Sequence, residues 1–307
     1  MEDQTPPFQT RPHSQNFAPP PSPSSSSSSS EARQWRPVAQ RNLRNQWSKL
    51  KLLRQDWCSA SNAGRSHATE IVNSYLSQKY MDGMEFGVLS DMPNIRKKAS
   101  YKLLKQQELN RGRLLKSYKD MVGVLTDMVR ICKSMRCYSI GTSNSPLAQF
   151  SFCSEDGSDS GDCGGIPVFR FCSIASFEEL ALEITQMFIS ELNVKRLLVV
   201  EFLSIYDEKV AEAMALQWSD ELYEGEFGDL ATLNLYSAET HQLNLPSLSN
   251  CKSSTSNIQS KRQQDSNVLQ IYITTWLADV NIDKCRIEEI FGIAGEEMHV
   301  DFLETPA

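Results

Sequence analysis

The sequence predicts an all-α protein: an elongated helical bundle or coiled coil with a disordered N-terminal tail and a long acidic, Ser-rich insertion. Two observations support this. Apolar residues recur every three or four positions over long stretches, which is typical of one face of a helix. These stretches are separated by segments rich in Ser, Pro, Gly and acidic residues, a composition that favours loops and disorder.

The predicted organisation has six parts. In chain order they are a disordered Pro/Ser-rich tail over 1–37, a two-helix coiled-coil region over 38–138, an acidic Ser/Gly loop over 139–165, a buried helix region over 166–205, an acidic, flexible insertion over 206–266 and a C-terminal helix pair over 267–298. Seven of the 13 prolines fall within the first 32 residues. Such a segment buries too little apolar area to offset its chain entropy, so we expect it to be disordered.

The two long helices are predicted from apolar stripes. The first stripe consists of Leu43, Trp47, Leu50, Trp57, Ala68, Ile71 and Tyr75. Within it, Gly64 either weakens the helix or allows another element to approach closely. The second stripe, over 98–136, steps by alternating threes and fours through Leu115, Tyr118, Val122, Leu125, Val129 and Cys132, as in a coiled-coil seam. Both helices have a basic N-terminal half, which either faces solvent, contacts phosphates, or matches the acidic C-terminal half of the chain.

The later helices are predicted from caps and apolar spacing. Ser176 with Glu179 forms a possible capping box for a helix that runs to about Ile205. Asp283 is the predicted cap of the last helix, and Gly292 and Gly295 suggest where that helix frays. Between these helices, the aromatic and acidic residues around 218–227 suit either a linear motif for a basic partner or a flap packed on the bundle.

Composition excludes several classes of function. The net charge is -7, whereas nucleic-acid-binding proteins are usually strongly basic. No apolar stretch approaches the roughly 20 residues of a membrane span, and the first residues do not have the pattern of a signal peptide. We therefore expect a soluble intracellular protein that does not contact membranes. The acidic net charge argues against a nucleic-acid partner.

No metal, cofactor or catalytic site is predicted. The eight cysteines include no C-x-x-C pair and the four histidines are far apart, whereas structural zinc needs closely spaced ligand pairs. The glycine-rich phosphate loop, the nucleophile elbow and the H-E-x-x-H motif are all missing. The chain is therefore expected to be non-enzymatic.

Two kinds of candidate phosphorylation site occur in the N-terminal tail and in the acidic loop. Ser22 and Ser145 each precede a proline, and Ser154 and Ser158 lie in an acidic stretch. If the acidic stretch is phosphorylated, the phosphate would create an arginine-binding patch. The alternative is that this stretch is an exposed linker that is not modified.

Five segments together resemble the cyclin-dependent kinase 2-interacting protein family. They are Trp47-Ser-Lys-Leu50 through Trp57 and Asn62-Ala-Gly64, the heptads from Tyr118 to Cys132, Pro167-Val-Phe169, Glu191-Leu-Asn-Val-Lys195-Arg196, and Leu269-Gln-Ile-Tyr272-Ile-Thr-Thr-Trp276. The resemblance covers about half of the chain. It implies a small nuclear, and also cytoplasmic, adaptor that works in the cell cycle, in DNA replication and in the DNA damage checkpoint. The implied partners are a cyclin-dependent kinase with its cyclin, the kinase that fires replication origins, the interacting subunit of a checkpoint kinase, and AAA ATPases.

The candidate partner-binding residues come from the two more specific of these segments: Glu191, Lys195, Arg196, Tyr272 and Trp276. Glu191 and Lys195 are spaced as a helical ion pair. This pair is either a surface salt bridge worth a few tenths of a kcal/mol or, with Arg196, part of a partner anchor. Trp276 is either a core residue or an interface hot spot.

Two other classes of function remain open. A coiled-coil structural protein of the spindle or cytoskeleton would self-associate in parallel through residues 98–136. A nucleic-acid binder would use the basic stretches 33–54 and 96–119 and would bind most tightly at low salt.

Overall fold

The computed structural model describes residues 26–140, 149–152, 159–206, 216–246 and 266–302, and this part of the chain has the all-α fold that the sequence predicts. Its α-helices are α1 (Ser26–Tyr80), α2 (Ile95–Lys133), α3 (Ile174–Leu203), α4 (Glu226–Thr232), α5 (Ser266–Ala278) and α6 (Lys284–Met298). Two short antiparallel strand pairs accompany them: β1 (Tyr138–Ile140) with β2 (Gln149–Ser151), and β3 (Tyr236–Ser237) with β4 (Gln242–Leu243).

Helices α1 and α2 form a long antiparallel hairpin. With 55 residues, α1 extends for about 80 Å at the usual rise of an α-helix. Asn42 Nδ2 near one end donates to the carbonyl of Ser134 at 2.8 Å, and Gln107 Nε2 near the other end donates to Gln78 Oε1 at 3.0 Å. Every apolar residue of the predicted α1 stripe is buried.

The predicted end of the tail at residue 37 is wrong, because α1 already begins at Ser26. Trp35 explains the extra helical turns: it is 2% exposed, and its indole Nε1 donates to the carbonyl of Cys137 at 3.0 Å. Pro37 is accommodated inside the helix. The rest of the predicted tail, residues 1–25, lies outside the described residues.

The buried face of α2 is wider than a two-stranded seam. Tyr118, Val122, Leu125 and Cys132 of the predicted heptad are buried, but Leu115 and Val129 are only partly so. The adjacent Leu114, Met121 and Met128 are completely buried. This broad face arises because α2 packs against α3 and α4 as well as α1.

Helix α3 packs against α1 through aromatic pairs. The Trp47 and Phe177 rings are 6.1 Å apart, and those of Trp57 and Phe188 are 5.3 Å apart, both edge-to-face. The predicted cap is wrong by three residues. Ser173 is the N-cap, and its hydroxyl accepts a hydrogen bond from the backbone N–H of Ser176, so Ser176 lies within the first turn.

The predicted loop over 139–165 contains regular structure at its start. The strands β1 and β2 pair through Tyr138 and Ser151. At the other end, Gly161 adopts a left-handed conformation with φ of +70° against the Tyr138 ring. A side chain at this position would therefore be both strained and in contact with that ring.

The predicted flexible insertion over 206–266 is folded in its described middle part, residues 216–246. Leu230 and Leu233 are buried in the main core, and the rings of Phe227 and Tyr236 stack at 4.7 Å. Of the two interpretations of this segment, the structure therefore shows the packed flap. The Ser-rich residues 247–265 lie outside the described part.

The C-terminal helix pair completes the core. Asp283 is the N-cap of α6, as predicted: its side chain accepts from the N–H of Arg286 at 3.0 Å. The predicted fraying at Gly292 and Gly295 is wrong, since α6 continues to Met298 and Phe291 packs edge-to-face on Trp47 at 5.7 Å.

Arg54 of α1, which lies 3.8 Å from Glu288 of α6, is an example of the predicted match between the basic part of α1 and the acidic C-terminal half. In the described parts of the chain, no helix is long and apolar enough to cross a membrane.

Candidate functional site

The charged residues that the sequence singles out lie in the core. Glu191 and Lys195 have no exposed side-chain surface, and Arg196 is 1% exposed. The expectation of a surface salt bridge is therefore wrong. As partner anchors these side chains are also unsuitable in this fold, because their charges are already satisfied by other parts of the same chain.

Lys195 joins α3 to the end of α5. Its Nζ donates to the carbonyl of Trp276 and to Asp279 Oδ1, both at 2.9 Å, and lies 3.2 Å from Glu191 Oε1. Glu191 Oε2 in turn accepts from the N–H of Asn281 at 2.9 Å. Burial raises the pKa of Glu191, and the neighbouring Lys195 charge opposes that rise.

Arg196 joins α3 to the packed insertion. Its Nε donates to Glu226 Oε1 at 2.8 Å, and its terminal nitrogens donate to the carbonyls of Trp218 and Asp220 at 2.8 and 2.7 Å. The Tyr118 hydroxyl donates to the same Glu226 oxygen at 2.6 Å. Burial first, and then the Glu226 charge, raise the pKa of Tyr118 well above its ordinary value. The cluster therefore connects α2, α3 and α4.

Trp276 is a core residue. It is 1% exposed, and its indole Nε1 donates to the carbonyl of Ser61 at 3.0 Å. A Cβ on Gly64 would lie 2.7 Å from Trp276 Cζ2. Of the two roles considered for Gly64, the structure therefore shows close approach. Tyr272 is half-buried, edge-on to Phe202 at 6.1 Å.

The part of the α1–α2 hairpin that extends past α3 presents a different surface. The carbonyl of Ile205, just after α3, accepts a hydrogen bond from Arg111. The Trp276 ring at the end of α5 reaches α1 at Gly64. Gly64 lies opposite Ser117 of α2, so the Arg111 contact marks the farther of the two levels along the hairpin. We call residues 75–110, which lie beyond that contact around the Gln78–Gln107 hydrogen bond, the arm. It contains two single-turn 3₁₀ helices, Met81–Gly83 and Gly87–Leu89, between its two long helices.

The arm carries a concentration of exposed apolar side chains. Val88 at its tip is 91% exposed, Tyr101 is 59% exposed and Leu104 is 47% exposed. Others of the same kind are Tyr80, Met84, Leu89, Met92 and Leu109. A large group of exposed apolar residues on a folded protein usually marks an interaction surface.

The α2 part of the arm is also basic. Between 95 and 110 there are five Lys or Arg residues and one Glu, in a chain whose net charge is -7. Arg96 is used within the tip, where its guanidinium donates to the carbonyls of Asp82 and Met84 and lies over the Phe86 ring. The lysines Lys97, Lys98, Lys102 and Lys105 are exposed.

The sequence pattern indicates the basic stretch of the arm, but the exposed apolar residues of the arm are not among the predicted site residues. The predicted heptad begins at Leu115, although Leu104 lies fourteen residues before Tyr118, at the same heptad position. Extending the heptad toward the N-terminus would have found it. Its exposure, however, depends on where α3 ends.

The other predicted sites add no chemistry to this surface. The candidate phosphorylation sites Ser22, Ser145, Ser154 and Ser158 all lie outside the described residues. Within the described ranges, no group of three or more His, Cys, Asp or Glu residues is placed to hold a metal ion. The buried thiols of Cys132 and Cys137 have a raised pKa, primarily because of burial, which disfavours the reactive thiolate.

No protein-family model matches the chain, and no curated protein matches it with significance.

Proposed function

We propose that this chain is a non-enzymatic adaptor, a scaffold subunit that binds protein partners in complexes of DNA replication, checkpoint signalling or AAA-ATPase assembly. The observation that carries the binding role is the arm, a projecting helical pair with exposed apolar and basic side chains. The choice of complexes rests on the resemblance to the cyclin-dependent kinase 2-interacting protein family. A nuclear location belongs to the same proposal.

The arrangement of α2 supports an adaptor over a self-associating coiled coil. Tyr118, Val122 and Leu125 would form the seam of a parallel coiled coil, but they are buried inside this chain. Self-association through residues 98–136 would therefore require α2 to separate from α1 and α3, with loss of the apolar burial that holds the core together.

The test is affinity purification of the tagged full-length protein from native cells at low and moderate salt, with quantitative mass spectrometry. We expect AAA ATPases or replication and checkpoint kinases at a defined stoichiometry. Recovery of only further copies of the chain, tubulin or spindle proteins would contradict the proposal and support the structural coiled coil.

A matched pair of variants connects the test to the arm. Leu104→Glu places a charge on the arm, whereas Leu182→Glu places one on α3, where Leu182 is 52% exposed. Both substitutions are at exposed helical sites, so we expect unchanged helicity by circular dichroism. Charge reversal of Lys195 and Arg196 does not test partner binding, because it would disrupt the buried clusters and unfold the protein.

A further inference from the structure

One side of α2 is covered by α3, by α4 and by the residue Ile205 in the bundle, and the same side is exposed in the arm. Cys132 Sγ lies 3.4 Å from Thr185 Oγ1 of α3, Tyr118 bonds to Glu226 of α4, and Arg111 bonds to the carbonyl of Ile205. These three positions are multiples of seven residues apart, so they lie on one side of the helix. Leu104 is the next position in the same series, and almost half of its surface is exposed.

The exposed side of α2 in the arm combines apolar and positively charged side chains, as an interface for a helix does. Tyr101 precedes Leu104 by three residues and therefore lies beside it. Lys105 Nζ lies 4.8 Å from the Tyr101 ring centre, and Lys97 is one turn before Tyr101. Two apolar side chains are thus bordered by two ammonium groups, an arrangement suited to an amphipathic helix with apolar residues on one face and carboxylates beside them.

From this geometry we infer that the arm binds an acidic amphipathic helix of a partner protein. The partner helix lies along α2 over Tyr101 and Leu104, in line with the position that α3 occupies in the bundle. It covers the two apolar side chains and pairs its carboxylates with Lys97 and Lys105. This inference rests on the proposed adaptor function and adds the chemistry of the partner.

The exposed apolar side chains favour a protein helix over a nucleic acid. A phosphate backbone would pair with the lysines and leave Tyr101 and Leu104 uncovered, whereas the apolar face of a helix covers both. Electrostatic complementarity to the carboxylates of that helix would determine its orientation and accelerate association.

The experiment locates the partner segment by photo-crosslinking. A benzophenone amino acid replaces Leu104 in the full-length protein, and Leu182 in a control; the complexes are irradiated in native extracts and the crosslinked peptides are sequenced. We expect position 104 to crosslink to a partner peptide with net negative charge and apolar residues at helical spacing. Position 182 should not crosslink to that peptide.

The identified peptide is then synthesised and titrated into the purified full-length protein by fluorescence anisotropy. We expect Leu104→Glu, and separately the double variant Lys97→Glu with Lys105→Glu, to weaken binding at least tenfold, while Leu182→Glu has no effect. The loss in the double variant should shrink at high salt, since exposed charges are then screened.

The inference is overturned by crosslinks from position 104 only to this chain or to nucleic acid, by a partner peptide without acidic residues, by no crosslink at all, or by unchanged affinity in the variants. These outcomes differ from failure of the adaptor proposal. If the expected complexes are still purified with Leu104→Glu, the adaptor role stands and only the arm is excluded as its binding surface.

Discussion

At the scale of single residues, the buried charges determine how the chain holds itself together. Arg196 and Glu226 are both almost completely buried and make hydrogen bonds with each other and with surrounding groups. Removing two charges from water is costly, and their attraction repays that cost only when the geometry is good. A charge left without its partner in such a site is strongly destabilising.

Arg196→Met is therefore predicted to lower the free energy of unfolding by about 3 kcal/mol or more, because Glu226 would remain buried and unpaired. Urea unfolding followed by circular dichroism measures this. The exposed variant Arg130→Ala, which removes a surface ion pair with Asp127, should cost less than about 1 kcal/mol. Equal losses in the two variants would contradict the structural role of the Arg196 cluster.

Gly64 is a second residue whose role depends on packing. Gly64→Ala should destabilise the protein by about 1 kcal/mol, since a clash with the Trp276 ring outweighs the gain in helix propensity. The control Gly123→Ala, in α2, meets nothing within 4 Å and should stabilise by up to about 1 kcal/mol. Thermal unfolding compares the two, and a stabilising Gly64→Ala would refute the close approach.

At the scale of secondary-structure elements, the Trp35 side chain packs the start of α1 into the core. Trp35→Ala is predicted to cost about 3 kcal/mol, because it removes a buried indole and its hydrogen bond to Cys137. The neighbouring Arg36 is exposed, so Arg36→Ala should change stability little. Chemical denaturation of both variants is the measurement; similar values would mean that these first turns are not part of the core.

Helix α6 holds the segment before α3 through one carboxylate. Glu297 Oε2 accepts from the N–H groups of Arg170, Phe171 and Cys172. Burial alone would raise the pKa of Glu297, but these donors together hold it below the usual 4.5. Because the pKa of Glu297 is lower in the folded than in the unfolded chain, its ionised carboxylate stabilises the fold at pH values above the unfolded pKa. That stabilisation is lost as the pH falls through the lowered pKa of the folded state.

Glu297→Gln is therefore predicted to reduce the acid sensitivity of the protein. The free energy of unfolding of the wild type should fall more between about pH 5 and pH 3 than that of the variant, because only the wild type loses this contribution. Urea titrations at the two pH values test this, with exposed Glu296→Gln as the control that should follow the wild type. Parallel pH profiles of all three proteins would exclude the proposed contact.

At the scale of the whole molecule, the bundle and the arm differ in the number of helices that pack against α2. In the bundle, α2 packs against α1, α3 and α4, whereas in the arm α1 and α2 are the two described α-helices and two single-turn 3₁₀ helices lie between them. Local stability follows the number of buried apolar contacts. The arm is accordingly the less stable part of the hairpin.

Hydrogen exchange with mass spectrometry measures this difference. Amides of residues 96–106 in the arm are predicted to exchange faster than those of 118–132, although both ranges belong to one continuous helix. Bound partner should slow the first range selectively. Equal exchange in the two ranges of the free protein would contradict the division into arm and bundle.

The sequence alone determined the helical fold class, the buried stripe of α1, most of the α2 heptad and the Asp283 cap, because these depend on residues within a few turns of each other. It placed the first helix boundary at residue 38 and the α3 cap at Ser176, since neither the contact from Trp35 to Cys137 nor the cap geometry at Ser173 can be read from local spacing.

Which charged and apolar residues are buried depends on the tertiary structure. Lysine and arginine are usually surface residues, but Lys195 and Arg196 are buried against acidic partners. Those partners, Asp279 and Glu226, lie 84 and 30 residues away in the sequence. Leu104 reads as one more position of a buried heptad, yet it is exposed because α3 ends at Leu203. Burial depends on contacts between segments distant in sequence, and no local pattern encodes where those segments meet.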